Sequence, residues 1–181
     1  MRAAYADPPY LGLCAVYQHN HPDGLCWNDI DTHARLLARL EIEFPDGWAL
    51  SLHSPSLRAI LPLCPEDVRV MAWVKPFASY KPGVKPAYAW EPVIVRGDRQ
   101  PRERSERTVR DWVSANITLR RGLVGAKPAA FCSWLFEVLG VRPGDEFVDL
   151  FPGSGAVSRA WDAYCGRPIA GGLQLEMEPA S

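Results

Sequence analysis

The sequence predicts an α/β fold, and three observations carry that reading. Short apolar strands alternate with amphipathic helical stretches along the chain. Seventeen prolines cut the 181 residues into short elements, which argues against a helical bundle. Hydrophobic residues make up 48% and charged residues 23%, enough for the packed core of a single domain spanning 1–181.

The elements follow in order. Arg2 to Ala6 is a short apolar strand, stopped by Asp7-Pro8-Pro9-Tyr10. Residues 11–28 have no period and read as a loop. That loop holds Cys14, His19, His21 and Cys26, but in no zinc-ligand spacing, so no metal is expected. Asp29 or Asp31 caps a helix running through Phe44, with Leu36, Leu37, Leu40 and Phe44 on one face and His33 on its surface. Pro45-Asp46-Gly47 turns the chain into a strand from Trp48 to His53. His53, at the carboxyl end of that strand, either borders a pocket or packs. Ser54-Pro55 opens a short helix to Leu61. Strands at Val68–Val74 and Pro92–Val95 come next. Pro128 starts a helix carrying Phe131, Trp134, Leu135, Val138 and Leu139, and Gly140 ends it. Glu146 to Leu150 is a strand, Phe151-Pro152-Gly153-Ser154-Gly155 a tight loop, and Val157, Ala160, Trp161 and Tyr164 the buried stripe of the last helix.

Charge and cysteine usage narrow the class. Lys and Arg total 20 against 21 Asp and Glu, a net charge of −1, which excludes a uniformly basic nucleic-acid coat. Residues 96–121 depart from this balance. They carry eight arginines, including Arg99, Arg102, Arg104, Arg107 and Arg110, against four acids. The segment is either a solvated loop or a phosphate-contacting strip in which Trp112 adds stacking. No apolar run nears the roughly 18 residues of a membrane span. Asp7 comes too early for a secretory signal, so a cytoplasmic protein without membrane contact is expected. Five scattered cysteines, none in CxxC spacing, fit reduced thiols.

Two segments are able to carry chemistry. A strand entering a glycine loop and then a helix is a ligand cradle, because glycine lets the backbone approach and the helix start offers free N–H groups. Ser158 replaces the third glycine of the dinucleotide fingerprint and no phosphate-binding lysine follows, so a nucleoside triphosphate is not expected. In Asp7-Pro8-Pro9-Tyr10 the prolines fix the backbone and leave carbonyls free to accept. Asp7 adds a carboxylate and Tyr10 a flat face, a set suited to a planar amine. The alternative is a proline-rich turn with an exposed Tyr.

Asp7-Pro8-Pro9-Tyr10, then Gly125-Ala126-Lys127-Pro128, then Asp149 to Gly155 resembles the S-adenosylmethionine-dependent amino-methyltransferases that act on adenine or cytosine, mostly in DNA. The order is similar to the circularly permuted arrangement, with the catalytic tetrapeptide before the cofactor loop, and the resemblance covers nearly the whole chain. It implies a Rossmann-like fold: a mostly parallel twisted sheet with helices on both faces. It implies that Asp7 and the Pro8 carbonyl accept from the target amine, that Pro9 fixes the corner and that Tyr10 stacks on the extruded base. The cofactor, S-adenosylmethionine, is expected against Asp149, Phe151, Gly153, Ser154 and Gly155, with Lys127 and Pro128 near its methionine end. No metal is needed, since the sulfonium already makes the methyl group electrophilic. Asp at the first motif position leans towards adenine N6. The acid that holds the cofactor ribose is carried by Glu176, 27 residues after Asp149 rather than about twenty.

Residues 96–121 stand where the family inserts a target-recognition region, so Arg99 to Arg110 are expected on DNA. RNA is a second substrate to test, and a homodimer or specificity partner a second source of target choice. The rival reading is a non-catalytic nucleic-acid-binding or scaffold subunit with a degenerate methyltransferase fold.

Overall fold

Alternation along β1 (Arg2–Ala6) sets the layers of the molecule. Ala3 and Tyr5 enter one apolar cluster and Ala4 and Ala6 the other, because successive strand residues point to opposite faces. The computed structural model describes residues 1–13, 24–77, 83–97, 108–118 and 126–167. After β1 and a short helical turn (Gly24–Asn28) come α1 (Ile30–Glu43), β2 (Gly47–Ser51), α2 (Leu57–Ile60), β3 (Arg69–Val74) and β4 (Trp90–Arg96). Then follow β5 (Trp112–Ser114), α3 (Ala129–Leu139), β6 (Glu146–Asp149) and α4 (Ala156–Tyr164).

The strands form one sheet in the order β5-β3-β4-β2-β1-β6. β1 pairs in parallel with both β2 and β6, and β3 in parallel with β5. β4 is antiparallel to both of its neighbours, so it alone among the described strands runs against the rest. The sheet is therefore mostly parallel, as expected, with helices on both faces. Leu36, Leu37 and Leu40 of α1, with Phe44 and Ile60, pack on Trp48, Leu50 and Ile94. Phe131, Leu135 and Val138 of α3, with Val157 and Trp161 of α4, pack on Tyr5, Ala49, Trp73 and Val93.

Local chemistry fixes the helix ends. The Asp29 carboxylate caps α1 by accepting from the Asp31 N–H at 3.1 Å. Gly140 closes α3 in the left-handed conformation, φ 67°. The short helix expected to reach Leu61 is a single α turn, flanked by tighter turns at Ser54–Ser56 and Leu61–Leu63.

Three expectations change. β5 lies inside the arginine-rich segment, where three residues are too few to show a period. It is recruited by the edge of β3, with Ala72 N–H on the Asp111 carbonyl and Ala115 N–H on the Val74 carbonyl, each 3.0 Å. His33 is buried at 4% exposure rather than on the helix surface. Its Nε2 lies 3.0 Å from the Trp27 carbonyl, its ring packs edge-on to Trp27, and burial lowers its pKa. Tyr164 is 41% exposed, although its ring stacks on Trp161.

The topology decides where a site forms. β1 feeds α1 on one face and β6 feeds α4 on the other, so the two connections part between these neighbouring strands. A crevice at the carboxyl ends of β1 and β6 follows. No described helix is long and apolar enough to cross a membrane.

Phe131 is fully buried, with its ring against Tyr5, Trp73 and Trp134. Phe131→Ala is expected to cost about 3–5 kcal/mol in denaturant unfolding. Ile42→Ala, on the exposed face of α1, is expected to stay within about 0.5 kcal/mol of wild type.

Candidate active site

Asp7 follows β1 by one residue, and the parallel register carries it to the crevice. Tyr5 pairs with Asp149, and the Leu150 N–H donates to the Tyr5 carbonyl at 2.9 Å. Asp7 and Phe151 therefore lie equal steps beyond paired residues, and the glycine loop opens beside the Asp7 corner. Pro8 and Pro9 are buried and Asp7 partly so. The corner is pinned from outside. Gly12 N–H donates to the Asn28 side chain at 3.0 Å, and the Ser56 hydroxyl to the Leu11 carbonyl at 3.1 Å.

Lys127, immediately before α3, is the centre of the site. It is 7% exposed, and its Nζ lies 3.0 Å from Asp7 Oδ2, 3.4 Å from Glu91 Oε2 and 3.4 Å from the Tyr10 hydroxyl. The rings of Trp73 and Phe131 stand 5.2 and 5.7 Å from the ammonium. Glu91, in β4, is held on its other oxygen by Lys75 at 2.7 Å. The Tyr10 hydroxyl donates to Asp7 Oδ1 at 2.9 Å, with Glu91 Oε2 at 3.3 Å. Two carboxylates and two ammoniums thus form a charge-balanced group under little solvent. Burial alone would lower the pKa of Lys127, but Asp7 and then the tyrosines and Glu91 hold it well above the lysine range. Burial alone would raise Glu91, but Lys127 and Lys75 bring it below the usual carboxylate range. Burial, then the Asp7 charge, lifts the Tyr10 hydroxyl well above the phenol range.

The Tyr10 ring is packed against a second ring. The His53 ring stacks on it with centroids 5.9 Å apart and planes 6° apart. His53 Nδ1 lies 2.8 Å from the Ser56 hydroxyl. His53 thus borders the pocket, a small cavity of about 90 Å³ walled also by Tyr88, Trp90, Lys75 and Glu91. The Tyr of the motif is therefore largely buried, not exposed on a free turn.

The loop after β6 has the features of a cradle. Gly153 (φ 46°) and Gly155 (φ 70°) adopt left-handed backbone. Among the described residues a Cβ at Gly153 would meet only the Phe151 carbonyl oxygen, at 3.8 Å. Gly155 stands at the N-cap of α4 and supplies no side-chain cap, while Asp149 draws the backbone N–H of Ser158. The Ser154 carbonyl accepts from Arg159 at 2.8 Å, and Phe151 is covered edge-on by Trp27. Asp149 Oδ2 accepts from the Ser158 hydroxyl at 3.0 Å, while its buried Oδ1 has no partner among the described residues. Burial raises the Asp149 pKa, and the Ser158 hydrogen bond offsets only part of the rise.

The structure thus brings together Asp7, Tyr10, Lys127 and the Asp149–Gly155 loop. Glu176, Arg99, Arg102, Arg104, Arg107, Cys14, His19 and His21 lie outside the described residues. Arg110 is described and sits elsewhere. It precedes β5, the edge strand four places from β1 across the sheet, with its guanidinium 5.3 Å from the Trp112 ring. Lys75 and Glu91 were not legible as site residues. They sit at the ends of two strands whose antiparallel pairing brings them together, and neither belongs to a motif.

No protein-family profile matches the chain, and no curated protein matches it in sequence. Solved structures do. M1.HpyAVI in its complex with SAM aligns at 17% identity over 91% of this chain and 78% of that one, with a TM-score of 0.59. M1.HpyAVI alone aligns at 15% identity over 91% and 76%, TM-score 0.54. TTHA0409 of Thermus thermophilus, described as a candidate DNA modification methylase and complexed with S-adenosyl-L-methionine, aligns at 16% identity over 91% and 77%, TM-score 0.54. The chain has the Rossmann-like fold of these proteins.

Removing the buried cation should leave two carboxylates facing each other. Lys127→Met is expected to cost about 3–5 kcal/mol at pH 7 in denaturant unfolding. The acid side of the stability profile tests Glu91. Its lowered folded pKa gives a contribution fully present above about 4.5 and lost as pH falls through the folded value. Glu91→Gln should flatten the acid limb of stability against pH relative to wild type; an unchanged limb would show that Glu91 is not held by the lysines in solution.

Proposed function

We propose that the protein is an S-adenosylmethionine-dependent methyltransferase acting on the exocyclic amino group of a base in DNA, with adenine N6 as the target. The observation that carries the reading is the meeting of the Asp7 corner and the glycine loop at one topological switch point, in a fold shared with structures solved with SAM.

The residues suit such a cofactor. Asp149 offers a buried acceptor oxygen with no partner among the described residues, and Gly153 offers backbone that a ligand can approach. A donor placed on Asp149 Oδ1 would relieve the cost of its burial. The N–H groups of α4 ahead of Ser158 offer further donors. Phe151 and Ser154 complete the wall, Lys127 and Pro128 adjoin it, and Glu176 is assigned to the ribose. When bound, the cofactor supplies an electrophilic methyl group on a sulfonium.

The chain's own residues then orient the nucleophile. Asp7 and the Pro8 carbonyl accept from the target amine, which aims its lone pair and favours a tetrahedral nitrogen. Tyr10, stacked with His53, is assigned to the base as the aromatic group of the motif. The amino edge is paired in a duplex, so the base is extruded or single-stranded. Gly97, the last described residue before Arg99 in the arginine-rich segment, lies against Asp46 and Gly47 at the amino end of β2, away from Asp7. Arg99, Arg102, Arg104 and Arg107 are therefore assigned to flanking phosphates rather than to the base, and target choice to them or to a partner.

Incorporation of labelled methyl into DNA or RNA, with mapping of modified bases, tests the reaction. Asp7→Ala is expected to abolish transfer while calorimetric binding of S-adenosylmethionine survives. Gly153→Val forces a β-branched residue into left-handed backbone and should weaken that binding about tenfold or more. A wild type that binds no cofactor and labels no nucleic acid would instead support a scaffold subunit. Neutralising Arg102, Arg104 and Arg107 together should flatten the log–log salt slope of DNA binding by roughly 2 to 3; an unchanged slope would make the strip plain surface.

A further inference from the structure

Both oxygens of Asp7 already hold a donor. Oδ1 accepts from the Tyr10 hydroxyl at 2.9 Å, and Oδ2 is ion-paired with Lys127 Nζ at 3.0 Å. An amine that donates to Asp7 shares the carboxylate's remaining lone pairs with these two donors and weakens their hold. Both donors are buried, so neither can be released without a second acceptor. Glu91 Oε2 lies within reach of both, 3.3 Å from the Tyr10 hydroxyl and 3.4 Å from Lys127 Nζ. Its sister oxygen is fixed by Lys75 at 2.7 Å, which anchors the carboxylate where the two donors can turn to it.

We propose that Glu91 is a positioning residue: the alternate acceptor, anchored by Lys75, onto which Lys127 and the Tyr10 hydroxyl turn when a substrate amine takes Asp7. The exchange shortens contacts that Glu91 already makes to both donors and moves no proton. It also keeps the pocket neutral, with two carboxylates facing two ammoniums throughout. In Glu91→Gln the charge drawing Lys127 away is gone, and the ammonium stays on Asp7. The inference rests on the methyltransferase reading and adds to it a residue outside the motifs.

The test compares Glu91→Gln with Lys75→Met, which break the same ion pair. A purely structural pair loses equally from either side, in step with the thermal midpoint. The positioning role separates them. Glu91→Gln is expected to lower kcat about tenfold or more with KM for S-adenosylmethionine within about threefold, and Lys75→Met to lose clearly less, since Glu91 keeps its reach to Lys127. A readout without turnover is the 15N signal of Lys127 Nζ. Adding a single-stranded oligodeoxyadenylate with S-adenosylhomocysteine should move it in wild type and not in Glu91→Gln. Equal losses in the two variants, or a Lys127 signal that moves alike with and without Glu91, would overturn the role of Glu91 alone. A wild type that neither transfers methyl nor binds these ligands would overturn the methyltransferase reading beneath it.

Discussion

A lysine ammonium buried between two carboxylates is the constraint on which the rest of the site depends. Taking an ammonium out of water costs several kcal/mol unless charge and hydrogen bonds replace the lost hydration. Lys127 finds both, from Asp7, Glu91 and the Tyr10 hydroxyl, with two aromatic faces closing the remaining directions. The same contacts tie β1, β4 and the start of α3 to one another at one end of the sheet. Structure and chemistry are therefore coupled here: the groups that lock the strand ends together are those that would face a substrate.

The glycine loop contributes in the opposite manner. It brings few side chains and exposes backbone, and it leaves a buried Asp149 oxygen with no partner among the described residues. An orphan acceptor costs stability, and a cradle that holds one favours a ligand that donates to it. One side of the crevice is thus satisfied in itself and the other is open. The boundary between them is the β1–β6 pair, where the chain connections part to opposite faces.

Much of the fold was legible in the sequence because its signals are local. Prolines and glycines mark the turns, the Leu36–Leu37–Leu40 stripe marks α1, and Gly140 marks the end of α3. The failures have one physical cause, that a partner distant in sequence decided the outcome. β5 is three residues long and exists because β3 offers it an edge. His33 is buried because Trp27, from a turn without periodicity, folds over it. Tyr164 follows the helical stripe but lies past the layer that covers Trp161.

The sequence by itself determined the layered α/β architecture and the two segments able to do chemistry, since tetrapeptide corners and glycine loops are defined by neighbours along the chain. Tertiary structure alone decided that Asp7 and Gly153 open into the same crevice, that His53 backs Tyr10, and that Lys75 and Glu91 belong to the site. Strand register and the reversal of β4 bring those groups within hydrogen-bonding reach, and pairing across a sheet depends on which strands become neighbours, which spacing along the chain does not encode.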